Sequence, residues 1–310
     1  MSLSGRVGLV TGGGTGIGFM IAKAFAANGA KVYITGRRLD VIEKAAASVT
    51  GVPGSIIPLQ MDVTDEEDVK AGAKHIEETN SKLDILVNKF VYRRFSSPSS
   101  CANLFIVLEL PDPFATQTLP QNRPRRQILS NPRRFKAGAD IFALNTIAPF
   151  SVVRAFQSLL IEGAHSRPQG TSSVINISSV AAKISTPGPG TCVCAAIPSR
   201  IDLTRLDQMA YSVTKAALDK LTLVLGMSFA GRGIPIRVNA LQPGRFASQM
   251  IGPEILEAIK TNIPGVTAPI PARRHGTEAE IGTAATYLAV SDYTNGALLS
   301  IEGGISLVNP

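Results

Sequence analysis

A tyrosine and a lysine stand four residues apart in Ala210-Tyr211-Ser212-Val213-Thr214-Lys215-Ala216-Ala217, a spacing that puts both on one face of a helix. The pair can move a proton. A phenol of ordinary pKa, about 10, is a poor acid–base group at neutral pH, but an adjacent ammonium favours the phenolate and brings it into range. Such pairs are common on solvated helices, so the weight of this one comes from its position. It follows a strand that ends Ile175-Asn176-Ile177-Ser178-Ser179.

The second constellation is Val10-Thr11-Gly12-Gly13-Gly14-Thr15-Gly16-Ile17-Gly18, placed after a β-branched run and before a helix-like stretch. Small residues let backbone N–H groups approach a pyrophosphate, and the helix N-terminus adds its positive dipole end. Thr11, Gly12, Gly14, Gly16, Ile17 and Gly18 are therefore candidate cofactor-binding residues. At the end of the second strand, Thr35-Gly36-Arg37-Arg38 offers no carboxylate for the ribose hydroxyls of NAD. Arg37 and Arg38 offer guanidiniums suited to the extra phosphate of NADP(H), which is expected to be preferred over NAD(H).

These residues need elements to position them, and the first ninety residues supply three βα units. Strands are expected at Val7–Thr11, Lys31–Thr35, Ile56–Gln60 and Ile85–Asn88. Helices are expected at Ile17–Asn28, closed by Gly29, at Leu39–Val49, and at Asp65–Asn80, capped by Thr64. The rhythm resumes near Ala139 with a helix Asp140–Leu160, a strand Ser173–Ile177, a helix from about Asp207 to Ala230 and a strand Ile236–Leu241. A helix around Glu278–Val290 and a last strand Ala297–Ile301 complete it. This alternation predicts an α/β fold, a single-domain Rossmann-type, doubly wound parallel sheet with helices on both faces.

Composition narrows the partners. Hydrophobic residues make up 45% of the 310 residues and charged residues 17%, a balance suited to a large aliphatic core. The net charge of +8 would raise nucleic acid as a partner, yet nine basic and only two acidic residues lie between Lys89 and Lys136. That segment holds nearly all the excess and lacks aromatic interleaving, so no nucleic acid is expected. Three cysteines, Cys101, Cys192 and Cys194, suit neither a disulfide framework nor a zinc site. His75, His165 and His275 fall outside every motif, and no metal is expected. With no secretory pattern and no run of about 18 apolar residues, a cytoplasmic setting without membrane contact is expected.

In combination these motifs resemble the short-chain dehydrogenase/reductase family, and the N-terminal half is most similar to 3-oxoacyl-carrier-protein reductases. The resemblance rests on T-G-x-x-x-G-I-G at Thr11–Gly18, on Asp62-Val63 after the third strand, on Asn145, on Ser179, and on Tyr211 with Lys215. Pro243-Gly244, Ser248 beyond it, and Ile301–Gly304 at the C-terminus also match. It implies that Asp62 and Val63 meet the adenine, that Asn88 lines the cofactor, and that Ser248 meets the carboxamide. It also implies a small-molecule carbonyl or alcohol substrate: Ser179 holds its oxygen, Tyr211 gives or takes its proton, Lys215 lowers the tyrosine pKa, and Asn145 holds a water leading to Lys215. Ser178 is the alternative serine. The family tends to homo-oligomers through its helices.

Two stretches depart from the pattern. After Leu86-Val87-Asn88 the family reads small residues, where this chain has Lys89-Phe90-Val91; and 32 residues separate Ser179 from Tyr211, roughly twenty more than a short connection requires. The irregular stretches, about 89–136 and 187–206, read as insertions in one dinucleotide-binding and catalytic domain spanning 1–310. They are either translated intron or frame-shifted sequence, or true lids or partner-binding insertions. The alternative to an active oxidoreductase is a catalytically impaired cofactor-binding or interaction protein on the same fold, with Lys89-Phe90-Val91 blocking the nicotinamide.

Overall fold

Short β-branched runs separated by helical segments fold into seven parallel strands with helices on both faces. The computed structural model describes residues 1–90, 132–168, 170–184, 206–247 and 269–309, with backbone alone at 132–135, 137 and 206–209. The strands are β1 (Val7–Thr11), β2 (Lys31–Gly36), β3 (Ser55–Gln60), β4 (Ile85–Asn88), β5 (Ser172–Ile177), β6 (Ile236–Pro243) and β7 (Leu298–Ile301). Their order in the sheet is β3-β2-β1-β4-β5-β6-β7. The order in which strands are added therefore reverses between β1 and β4, which opens a crevice at their C-terminal ends, the place where such sheets bind ligands.

Both faces of the sheet are buried, so successive residues of each strand enter different cores. Val10, Ile34, Val87, Ile175 and Leu241 pack with α1 (Gly16–Ala27) and α8 (Glu278–Val290). Leu9, Tyr33, Leu86, Val174 and Val238 face the other way. They meet α3 (Glu66–Asn80), α5 (Ala148–Ala155), α6 (Gln157–His165) and α7 (Leu206–Gly231). The remaining helices are α2 (Leu39–Ala47), α4 (Pro132–Phe142) and the short α9 (Ile305–Val308). Among the described residues no single helix is long and apolar enough to cross a membrane.

The expected elements are found with ends shifted by at most two residues, apart from the cap of α3, the helix around Asp140–Leu160 and the short α9, which was not expected. Thr64 does not cap α3. Asp65 does, its carboxylate accepting from the Glu67 and Asp68 amides, while the Thr64 hydroxyl bonds Asp62 at 2.7 Å. The single helix expected over Asp140–Leu160 is broken twice, by a π-helical turn at Ala143–Ile147 and by a bend at Phe156. Helical backbone already begins at Pro132, inside the stretch read as irregular, with proline at the first helical position where its missing N–H is harmless. At the other stretch, 187–205 lies outside the described residues and Leu206 opens α7. Gly29 ends α1 as expected, with φ +95°.

Candidate active site

The glycine turn is shaped by contacts that leave no room for side chains. Gly12 and Gly16 have φ of +56° and +54°, and the Gly13 amide donates to the Thr35 carbonyl at 3.1 Å. A Cβ on Gly18 would stand 2.4 Å from the Gly12 carbonyl oxygen, so α1 starts pressed against the turn. At Thr15 the helix has no side-chain cap, and its first turn carries no acidic residue. Its leading N–H groups therefore face an electropositive opening suited to an anion. The residues present fit a pyrophosphate.

Not every residue of the motif lines that opening. The Thr11 side chain is buried and donates to the Val87 carbonyl at 3.2 Å while accepting from the Lys89 amide at 3.0 Å. It stitches the turn to β4 and positions it. Ile17 packs on the first core, and a Cβ on Gly14 would meet Ile42 at 2.9 Å, so that glycine makes room for α2.

Across the crevice, the ends of β4 and β5 and one face of α7 bring buried polar side chains together. Asn88 and Asn176 are neighbours across the sheet. Asn88 Nδ2 donates to Asn176 Oδ1 at 3.0 Å, and Asn176 Nδ2 donates to Thr222 Oγ1 at 2.9 Å. Asn145 sits fully buried in the π-helical turn, a distortion that frequently marks functional positions. Its Nδ2 donates to Thr214 Oγ1 at 3.1 Å, and its Oδ1 is buried without a hydrogen-bond partner among the described residues. Thr214 in turn donates to the Tyr211 carbonyl at 2.8 Å.

Ser179 caps the short 3-10 turn Val180–Ala182, its hydroxyl accepting from the Ala181 amide at 3.1 Å, and it stands close enough to the Tyr211 phenol to lower its pKa. Ser178 points elsewhere, donating to the Lys215 carbonyl at 3.2 Å. Of the two serines, only Ser179 is placed beside the phenol. Lys215 is 2% exposed, donates from Nζ to the Ile177 carbonyl at 2.8 Å, and lies 5.8 Å from the centre of the Tyr211 ring.

The electrostatics differ from the expectation that Lys215 would lower the tyrosine pKa. Burial raises the Tyr211 pKa above its usual value, with the nearby Ser179 hydroxyl working against it. Lys215 is itself pulled down to about 7, first by burial and then by repulsion from Lys89, against an opposing pull from Asp219. The reason is desolvation, which penalises both charged forms. Near neutrality the phenol holds its proton and the lysine is close to exchanging its own.

The remaining expected residues are distributed as follows. Arg37 and Arg38 are exposed after β2, Arg38 preceding the first residue of α2. Asp62 and Val63 lie half-buried beyond β3, Asp62 turning back to bond Thr64. Pro243 ends β6, and the Gly244 amide donates to the Ile301 carbonyl at 2.9 Å. Ser248 lies outside the described residues. Thr214, Asn176 and Thr222 escaped the sequence reading; for Thr214 the signal was its place three residues after Tyr211, next to Lys215. Among the described residues no group of three or more His, Cys, Asp or Glu side chains could hold a metal.

Two family models match the chain: short chain dehydrogenase over residues 6–91 and enoyl-(acyl carrier protein) reductase over residues 135–306. The short-chain dehydrogenase/reductase VdtF of Byssochlamys spectabilis is 32% identical, over 97% of this chain and 93% of that protein. The rhamnolipids biosynthesis 3-oxoacyl-[acyl-carrier-protein] reductase of Pseudomonas aeruginosa is 29% identical, over 99% and 98%. The solved RhlG/NADP active-site complex from Pseudomonas aeruginosa superposes with a TM-score of 0.69 at 28% identity, over 98% of each chain. The fold, the crevice and these likenesses lead to one assignment: the chain belongs to the short-chain dehydrogenase/reductase family, the NAD(P)-dependent oxidoreductases.

Proposed function

We propose that the chain is an NADP(H)-preferring oxidoreductase acting between a carbonyl and a secondary alcohol, with Asn145, Ser179, Tyr211 and Lys215 as its catalytic residues. The observation that carries this reading is Ser179 standing beside the Tyr211 phenol, with buried Lys215 on the same helix 5.8 Å from the Tyr211 ring centre, at the same ends of the strands as the glycine turn. When bound there, a nicotinamide would supply the hydride for the carbonyl carbon. Tyr211 donates its proton to the carbonyl oxygen, and burial favours this direction because it keeps the phenol protonated until reduction demands the proton. Ser179 donates a hydrogen bond to the same oxygen. Lys215, able to exchange a proton near neutrality, re-protonates the phenolate, and the unpartnered Asn145 Oδ1 is the acceptor for a water feeding Lys215.

The glycine turn, Asp62, Val63, Asn88, Pro243, Gly244 and Ser248 make up the rest of the proposed cofactor cleft. Arg37 and Arg38 support the NADP(H) preference, since they stand where an acidic residue would select NAD, and the similar RhlG structure contains NADP. The likeness to a 3-oxoacyl-[acyl-carrier-protein] reductase makes acyl thioester ketones the first substrates to try. The domain is proposed to be single, with the two irregular stretches inserted in it, and to work in the cytoplasm. A homo-oligomer is proposed through α5 and α7, on which Phe150, Val213 and Met227 are exposed, with Ile147 exposed just before α5.

The test is oxidation of NADPH and NADH over a panel of ketones and acyl thioesters, for the full chain and for Arg37→Ala/Arg38→Ala. The double variant is expected to raise the NADPH KM about tenfold or more, as loss of charge-assisted phosphate contacts does, and to leave the NADH KM unchanged. NADPH binding with no turnover on any substrate would favour the impaired-protein reading, which the Lys89 side chain over Gly12 supports.

A further inference from the structure

We infer that Asp219 is a positioning residue for the proposed reaction, the counter-charge that keeps buried Lys215 as an ammonium at the catalytic end of the crevice. The inference rests on the oxidoreductase reading above. Lys215 and Asp219 stand four residues apart on α7, a spacing that brings them to one face of the helix with Cβ atoms about 5–6 Å apart. They are 2% and 8% exposed. A carboxylate so placed needs a hold from outside its own helix, and three elements supply it. Gln242 on β6, fully buried, donates from Nε2 to Asp219 Oδ2 at 2.6 Å. Ser300 on β7 donates to Gln242 Oε1 at 2.9 Å, and exposed Lys183, after the 3-10 turn, donates to Ser300 Oγ at 2.8 Å.

This chain of bonds runs one way. Lys183 has only protons to give, so Ser300 accepts from it and passes its own proton to Gln242; with Oε1 occupied, the amide NH2 of Gln242 is the group that faces Asp219. Asp219 Oδ2 is thereby held as an acceptor, the role that suits the ionised form, while Oδ1 is buried with no hydrogen-bond partner among the described residues. Lys183 and Lys215 both favour the carboxylate charge against burial. The charged groups around Lys215 divide: Lys89, after β4, opposes its protonation and Asp219 favours it, with the Tyr211 phenol one turn earlier on α7. Asp219 therefore offsets part of the desolvation that draws Lys215 down to about 7. Without that offset Lys215 is neutral at pH 7 and has no proton to return to the Tyr211 phenolate.

NMR titration of the full chain labelled with carbon-13 at lysine Cε, with the Lys215 signal identified by its loss in Lys215→Met, tests this in the wild type, Asp219→Asn and Asp219→Glu. Asparagine still accepts from Gln242, so only the charge is removed. The Lys215 midpoint, about 7 in the wild type, is expected to fall by about one to two pH units in Asp219→Asn and to return in Asp219→Glu, and the alkaline limit of ketone reduction is expected to move with it. A midpoint unchanged in Asp219→Asn, which makes Asp219 a tether of α7 to β6 and nothing more, would overturn the inference, as would one lowered equally in Asp219→Glu. The reciprocal reading needs no Asp219 variant: the Asp219 carboxyl pKa is expected to be higher in Lys215→Met than in the wild type, and an equal value there would also overturn it. A chain that shows both shifts yet reduces no ketone would instead remove the oxidoreductase reading and leave the charge pair standing.

Discussion

The glycine turn after β1 and the polar cluster at the ends of β4, β5 and α7 face each other across one crevice, and they are built by opposite means. In the turn, geometry comes from missing side chains: Gly12 and Gly16 adopt positive φ, and Gly18 lets α1 touch the Gly12 carbonyl. In the cluster, geometry comes from side chains that water would otherwise claim. Asn88, Asn145, Asn176, Thr214, Lys215 and Thr222 are all buried, and hydrogen bonds between β4, β5, α7 and the π-helical turn hold them. A turn of the first kind tolerates no added atom, while a cluster of the second kind carries a desolvation cost that function must justify.

The largest expected effect bears on that cost. The Lys215 pKa is about 7 in the fold against 10.5 for an unperturbed lysine. Because the folded value is depressed, the penalty is fully present below about pH 7 and disappears as pH rises towards 10.5. Lys215→Met should therefore be more stable than the wild type at pH 6, by up to about 4 kcal/mol, with the gain shrinking at pH 9. Urea unfolding at the two pH values measures this, and a variant less stable at pH 6 would show the cluster to be a source of stability. A smaller effect is expected on the other side. Gly18→Ala places a Cβ 2.4 Å from the Gly12 carbonyl, which should destabilise the fold by about 1–3 kcal/mol and weaken NADPH binding on the order of a hundredfold. Binding within a few-fold of wild type would mean the turn is more forgiving than its contacts suggest.

The same contrast explains what was legible in the sequence. β1 and β4 were bounded to the residue, and the turn between β1 and α1 was located, because glycine patterns and β-branched runs are local signals; that Thr11, Gly14 and Ile17 serve packing was not legible. Tyr211, Lys215, Asn145 and Ser179 were named through family motifs, yet their environment was not. Nothing local says that Asn145 sits in a π-helical turn, that Thr214 bridges it to Tyr211, or that Thr222 supports Asn176. Burial is a tertiary property, and it is burial that reversed the expected shift of the Tyr211 pKa. The α3 cap was misassigned for a smaller reason: Thr64 and Asp65 are both good capping residues, and Asp62 drew the Thr64 hydroxyl away.

The claim that joins the two regions is that Tyr211 delivers the proton while the glycine turn holds the cofactor. Its most direct test pairs NADPH affinity with single-turnover reduction of an accepted ketone, in the wild type and in Tyr211→Phe. The expected result is a reduction rate lower by about a hundredfold to ten-thousandfold, with NADPH affinity within a few-fold of wild type. A Tyr211→Phe chain that reduced the ketone at the wild-type rate would contradict the account.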